Sequence, residues 1–209
     1  VREQLDAPVG IHTHDDAGCA VANALVAVRA GARHVQGTIN GYGERCGNAN
    51  LCALLPTLEL KMGLRCLPEG ALAGLSELAR FVAEVANLAP DEHQPYVGRS
   101  AFAHKGGVHV AAMRRDPASY QHVEPARVGN EPRVVVSELS GRSAVLGLAE
   151  TLGLGVGDGA HAEVLDHIKE AEARGFAFEA AEASIALLLR RRAPGYAAPF
   201  RLLDYKVIV

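Results

Sequence analysis

Two short strand-like runs separated by a single amphipathic helix constrain this chain more than any other feature in it. The first run, Ile11-His12-Thr13-His14, suits a strand end, and Asp15, Asp16 and Gly18 suit the loop that opens a helix. From Ala17 to Ala30 the apolar positions Val21, Ala24, Leu25 and Val28 recur at i, i+3, i+4 and i+7, and Gly31 supplies a stop. Arg33 to Ile39 reads as a second strand. A glycine-rich loop then runs to Gly47, and a helix follows with Leu51, Leu54, Leu55 and Leu58 on one face, kinked or delayed by Pro56. Strand, helix, strand, loop, helix at these spacings is the signature of parallel βα units, whose functional loops lie at the strands' carboxyl ends. The expected class is α/β, with both loops facing the same way.

His12 and His14 stand two residues apart, so a strand sends both imidazoles to one face. A lone His-x-His is also what a surface strand end would carry, and it is the second loop, Gly41-Tyr42-Gly43-Glu44-Arg45-Cys46-Gly47-Asn48, that turns the balance toward a site. Neutral imidazoles suit zinc, manganese or iron, whereas an amide oxygen and carboxylates shift the preference toward harder divalent ions. His12, His14 and Asn48 would form a mixed site still needing an anionic ligand, and neither Asp15 nor Asp16 is bound to point inward. Glu44 and Arg45 read either as an ion pair shaping the loop or as substrate contacts.

Downstream, Leu72, Leu75, Leu78, Val82 and Val85 place a long helix between Leu67 and Leu88, before Pro90. Asp91 to Asn130 is rich in His, Gly, Pro and Arg and predicts short helices and loops, with Ala101-Phe102-Ala103-His104-Lys105-Gly106-Gly107-Val108-His109-Val110 as its most distinctive run. Val134 to Val136 is a short apolar run. Ser140 is placed to cap a helix from Arg142 to about Leu152, and Gly153, Gly155, Gly157 and Gly159 predict a flexible joint. Two more helices are expected near His161 to Arg174 and Phe178 to Arg192, then a strand from Leu202 to Val209.

Composition excludes several classes. With 209 residues and 49% hydrophobic content the chain can fill a core. A net charge of −3 without a basic stripe, and 5% aromatic residues, give nucleic acid little to hold. No apolar run approaches the roughly 20 residues of a membrane span, and no cleavable signal precedes the first motif, so a soluble cytoplasmic protein without membrane or nucleic-acid partners is expected. Cys19, Cys46, Cys52 and Cys66 form no C-x-x-C pair and read as reduced, small core residues. No phosphate-binding loop, nucleophile elbow or dinucleotide fingerprint is present.

H-T-H-D-D-A-G followed by T-I-N-G-Y-G-E-R-C-G-N-A-N resembles the last two βα units of the metal-dependent (β/α)8 TIM-barrel acyltransferases that make 2-isopropylmalate, homocitrate and citramalate. A-F-A-H-K-G-G-V-H-V-A-A-M, S-Y-Q-H-V-E-P-A-R-V-G-N-E and V-S-E-L-S-G-R-S resemble that family's mostly helical linker subdomains, most closely in its citramalate synthase branch. The resemblance implies His12, His14 and Asn48 as ligands of a divalent metal (Mg, Mn or Zn). Their fourth ligand would be an Asp from the barrel's first strand, which this chain does not contain. It implies His109 and Tyr120 as catalytic residues reaching a neighbouring subunit's barrel in a homodimer. Two positions depart from the family's pattern: Ala111 stands where many members have Asp, and Asp15 where they have Asn.

The implied activity is a Claisen condensation of acetyl-CoA, as co-substrate, with pyruvate to give citramalate and CoA, in isoleucine biosynthesis. 2-Isopropylmalate synthase and homocitrate synthase are alternatives with the same chemistry, and a non-catalytic assembly module is one of another class. The implied layout is a barrel portion over 1–90, linker subdomains over 91–153 and 154–201, and the start of a regulatory domain over 202–209, with the chain shorter than the family's at both ends.

Overall fold

The computed structural model describes residues 4, 6–104, 112, 115–116, 119–134, 142–154, 157–178 and 181–207. They fall into two compact units, one comprising Val1–Phe102 with Gln121–Pro132, the other Ala103–Tyr120 with Arg133–Val209.

In the first unit, β1 (Gly10–His12) and β2 (His34–Gln36) pair in parallel, with Gly10 opposite His34, Ile11 opposite Val35 and His12 opposite Gln36. α1 (Ala20–Arg29) makes the crossover and ends before Gly31, whose φ of 103° only glycine adopts freely. Alternation then decides the two faces of the strand pair. Ile11 and Val35 point to the helices and join Val21, Leu25 and Val28 of α1 around Ala24, Leu54 and Leu58, while His12 and Gln36 point the other way.

β2 is shorter than the expected 33–39 run. Gly37 has no room for a side chain, since a Cβ there would lie 2.4 Å from the Ala49 carbonyl oxygen, and Ile39–Gly41 turns off as a single 3-10 turn. α2 (Leu51–Pro56) is capped by Asn50, whose side chain accepts from the Cys52 N–H. Pro56 sits within it, and the chain continues as a π-helical turn over Thr57–Lys61, closed by the Met62 N–H bonding to the Thr57 carbonyl at 3.0 Å. Leu54 and Leu58 face α1, while Cys52 and Leu55 face a second core with Leu72, Leu75, Ala79, Tyr96, Val97, Phe102 and Val128.

The long helix expected from Leu67 to Leu88 is a 3-10 turn at Ala71–Gly74 running into α3 (Leu75–Val85). Its start is delayed by Gly70, which sits in left-handed backbone at φ 79°. Among the cysteines only Cys52 is buried; Cys19, Cys46 and Cys66 are exposed, and all four are free thiols. The core role expected of the other three is therefore corrected: each lies in a loop rather than on an inward helix face.

In the second unit, α4 (Arg142–Thr151), α5 (Asp158–Ala173) and α6 (Glu182–Arg190) pack around Val145, Ala149, Val164, Leu165, Ile168, Phe178, Ile185 and Leu189. Fully burying a side chain of this size contributes about 1.5–3 kcal/mol. β3 (Ala103–His104) and β4 (Arg133–Val134) form a two-residue parallel pair, and the Arg133 guanidinium bonds the Glu182 carboxylate. α5 begins at Asp158, so Gly159 lies inside a helix and not in the expected joint. Residues 202–207 form no strand: the expected run finds no partner among the described residues, and an unpaired strand leaves its backbone groups to water. No helix among the described residues is long and apolar enough to cross a membrane.

Candidate metal centre

β1 ends at His12, and the chain stays extended to His14, which forms an isolated bridge with Asn48. The loop after β2 is laced to this extension by backbone bonds. The Asp15 N–H donates to the Gly47 carbonyl at 2.9 Å, the Ala49 N–H to the Thr13 carbonyl at 3.1 Å, and the Asn48 N–H to the Gly41 carbonyl at 3.0 Å. Two glycines permit the close approach. A Cβ on Gly47 would lie 2.1 Å from the Gly41 oxygen, and one on Gly43 would lie 1.7 Å from Asn48 Oδ1.

The three side chains meet at the carboxyl end of the strands. His12 Nε2 lies 3.3 Å from His14 Nε2 and 2.9 Å from the Asn48 amide, and the rings stand edge-on with centroids 5.1 Å apart. Gln36 Oε1, 3.0 Å from His12 Nδ1, accepts a hydrogen bond from the Nδ1–H tautomer, which leaves the Nε2 lone pair facing the other two groups. Gln36 was not singled out from sequence. The signal was present, because a parallel register puts this polar residue beside His12 on the face of the strands turned away from the helices.

The arrangement fits a divalent ion. Two nitrogens each 2.0–2.1 Å from one ion at 90–110° stand about 2.9–3.4 Å apart, which spans the His12–His14 separation. His14 Nδ1 is buried without a hydrogen-bond partner among the described residues, so the ring is oriented by its Nε2 side alone. Asn48 is 8% exposed, and a half-turn of its amide presents Oδ1 where Nδ2 now stands. The donor set is neutral. Among the described residues no group of three or more His, Cys, Asp or Glu gathers around a common point, so an anionic ligand would have to join these three.

The acidic residues beside the pair are otherwise employed. Asp15 Oδ1 accepts from the Ala20 N–H at 2.8 Å, satisfying an orphan donor at the start of α1. Asp16 and Arg45 form a two-pronged pair at 2.6 and 3.0 Å, and the guanidinium holds the Asp16 carboxyl below its ordinary range. Arg45 thus ties the two loops together through Asp16 and also pairs with the largely exposed Glu44 at 3.8 Å, the ion pair that is one of the two readings of these residues.

Of the other candidates, Tyr120 belongs to the second unit, is 46% exposed and meets the His104 ring edge-on at 6.3 Å. His109 lies outside the described residues. In the first unit His122 stacks on Phe102 and tilts against Tyr96, and burial, with Lys61 nearby, pushes its pKa down.

Residues 1–82 match the family described as HMGL-like, and residues 96–175 match the one described as homocitrate synthase post-HMGL domain-like. The chain is 53% identical to an (R)-citramalate synthase of Geobacter sulfurreducens over its whole length and 40% of that protein. It is 55% identical to an (R)-citramalate synthase of Synechocystis over 88% of the chain and 34% of that protein. A homocitrate synthase AksA of Methanopyrus kandleri is 40% identical over 81% of the chain and 42% of that protein. The chain thus spans about two fifths of the length of the curated relatives it matches. With parallel βα units over the HMGL-like match and helices within the following one, this chain belongs to the HMGL-like TIM-barrel family, in the group that carries the homocitrate synthase post-HMGL domain.

Proposed function

We propose that the full-length protein is a citramalate synthase that condenses acetyl-CoA with pyruvate. The observation that carries this reading is the convergence of His12, His14 and Asn48 at the strand ends. Five matching proteins named (R)-citramalate synthase are 46–55% identical to the chain, whereas those named homocitrate synthase are 36–40% identical, which supports pyruvate over a larger oxo acid.

In this reading His12, His14 and Asn48 hold a divalent ion together with an acidic ligand, and Gln36 fixes the His12 ring. A divalent ion bound there supplies Lewis acidity toward the carboxylate and ketone oxygens of a 2-oxo acid. His109, assisted by Tyr120, takes a proton from the acetyl methyl group, the carbon nucleophile adds to the ketone carbon, and thioester hydrolysis releases CoA. The proposal extends to a cytoplasmic homodimer in which the segment carrying His109 serves the partner's barrel, and to a role in isoleucine biosynthesis.

It also divides the chain into a barrel portion over 1–90, linker subdomains over 91–153 and 154–201, and the start of a further domain from 202. The HMGL-like match ending at 82 and the next beginning at 96 support the first boundary. The test is CoA release by the full-length protein with pyruvate, a branched 2-oxo acid and a 2-oxo dicarboxylate. Metal-dependent turnover fastest with pyruvate is expected, and preference for either larger substrate would overturn the assignment.

A further inference from the structure

We infer that Asn40 and Gln94 form a positioning clamp that sets the place of Asn48, so that a residue far along the chain from the metal loop controls metal affinity. The inference rests on the metal-centre reading above.

Asn40 lies in the Ile39–Gly41 turn after β2 and stands in left-handed backbone at φ 62°, with Gly41 at φ 73° after it. A non-glycine residue there carries strain unless its side chain compensates. It does so with both ends of its amide. Nδ2 donates to the Ala79 carbonyl of α3 at 2.8 Å, and Oδ1 accepts from Gln94 Nε2 at 3.3 Å and from the Cys52 thiol at 3.5 Å.

Gln94 is 8% exposed and sits in a turn that is itself fixed. The Gly98 N–H donates to the Gln94 carbonyl at 2.9 Å, and Asn130 Nδ2 bonds the carbonyls of Tyr96 and Gly98 at 2.9 and 3.0 Å. The Gly98 position has no room for a side chain, since a Cβ would stand 2.6 Å from the Gln94 nitrogen.

The link to the metal loop is one residue long. Gly41 accepts the Asn48 N–H and abuts Gly47, so displacement of Asn40 carries the support of Asn48 with it. Such outer partners orient ligands without touching the ion, and losing one typically costs about 10–100-fold in metal affinity.

The experiment measures Mn²⁺ affinity by titration calorimetry on the full-length protein and kcat at saturating Mn²⁺. Gln94→Met keeps the side chain's length and removes the amide. Asn40→Gly keeps the left-handed backbone and removes the clamp, which covers the case where Gln94→Met fails to fold. Ser76→Ala is the control, because it deletes a buried hydrogen bond of the same unit, Ser76 Oγ to the Val128 carbonyl at 2.7 Å, that does not reach the loop.

Mn²⁺ binding about 10–100-fold weaker in either clamp variant, with kcat near wild type at saturating metal and Ser76→Ala unchanged in affinity, is the expected result. Unchanged affinity in the clamp variants, or an equal loss in Ser76→Ala, overturns the clamp while wild-type binding that His14→Ala abolishes leaves the metal centre standing. A wild-type protein that binds no Mn²⁺ overturns both.

Discussion

His12 Nε2 and His14 Nε2 face each other across 3.3 Å, with Gln36 holding the far side of the His12 ring. Two imidazoles this close share one proton or one ion. Under the proposed metal-centre reading, a shared ion would account for the pair and for the glycines that bring Asn48 beside it.

His14→Ala in the full-length protein should lose metal affinity and activity together, with partial recovery of turnover on adding metal. Gln36→Leu should cost about 10–100-fold in affinity, as an outer partner does. Unchanged metal affinity in His14→Ala would remove this residue from the site.

Gly43→Ala should mimic loss of Asn48. The new Cβ would stand 1.7 Å from Asn48 Oδ1, so the amide must leave its place, and metal affinity should fall about as far as in Asn48→Ala. The fold should survive, because Gly43 lies in an exposed part of the loop. A crystal structure or a metal titration of the variant decides it.

How much of this was legible in the sequence depended on the range of the forces involved. The period of two brought His12 and His14 to one face, and the parallel βα reading brought Asn48 to the same end, because both follow from local backbone geometry. Gln36 and the Arg45–Asp16 pair depended on register between segments distant in sequence, and were not read. Ala49 and Leu51 lie so close to Gly37 that no side chain fits there, a constraint that no propensity of Gly37 itself reveals. The exposed Cys19, Cys46 and Cys66 show the same limit: cysteine favours cores on average, but each of these lies in a loop tied down by polar bonds.

His122 should titrate below the ordinary histidine value near 6.5, chiefly because burial against Phe102 and Tyr96 disfavours its charged form. A histidine whose folded pKa is depressed leaves the unfolded chain holding more protons, so stability falls as pH drops through the window from about 6.5 down to the folded value, and is flat below it. His122→Phe keeps the ring stack and should remove that dependence. Proton NMR of His122 with denaturation at several pH values checks both, and a midpoint at or above 6.5 would contradict the account.

His109→Ala should lower kcat by about 10²–10⁴-fold, the usual contribution of a general acid–base group, while metal affinity is retained. Mixing full-length His109→Ala and His14→Ala subunits should restore part of the activity if the segment serves a partner's barrel. No recovery after confirmed subunit exchange would argue that each subunit works alone.

The central claim is that His12, His14 and Asn48 hold one divalent ion, and the most direct measurement is a crystal structure of the full-length protein grown with Mn²⁺, with the ion located by anomalous scattering. The account predicts a single peak about 2.0–2.3 Å from His12 Nε2, His14 Nε2 and Asn48 Oδ1, with at least one carboxylate completing the shell. A peak elsewhere, or one bound without His14, would contradict it.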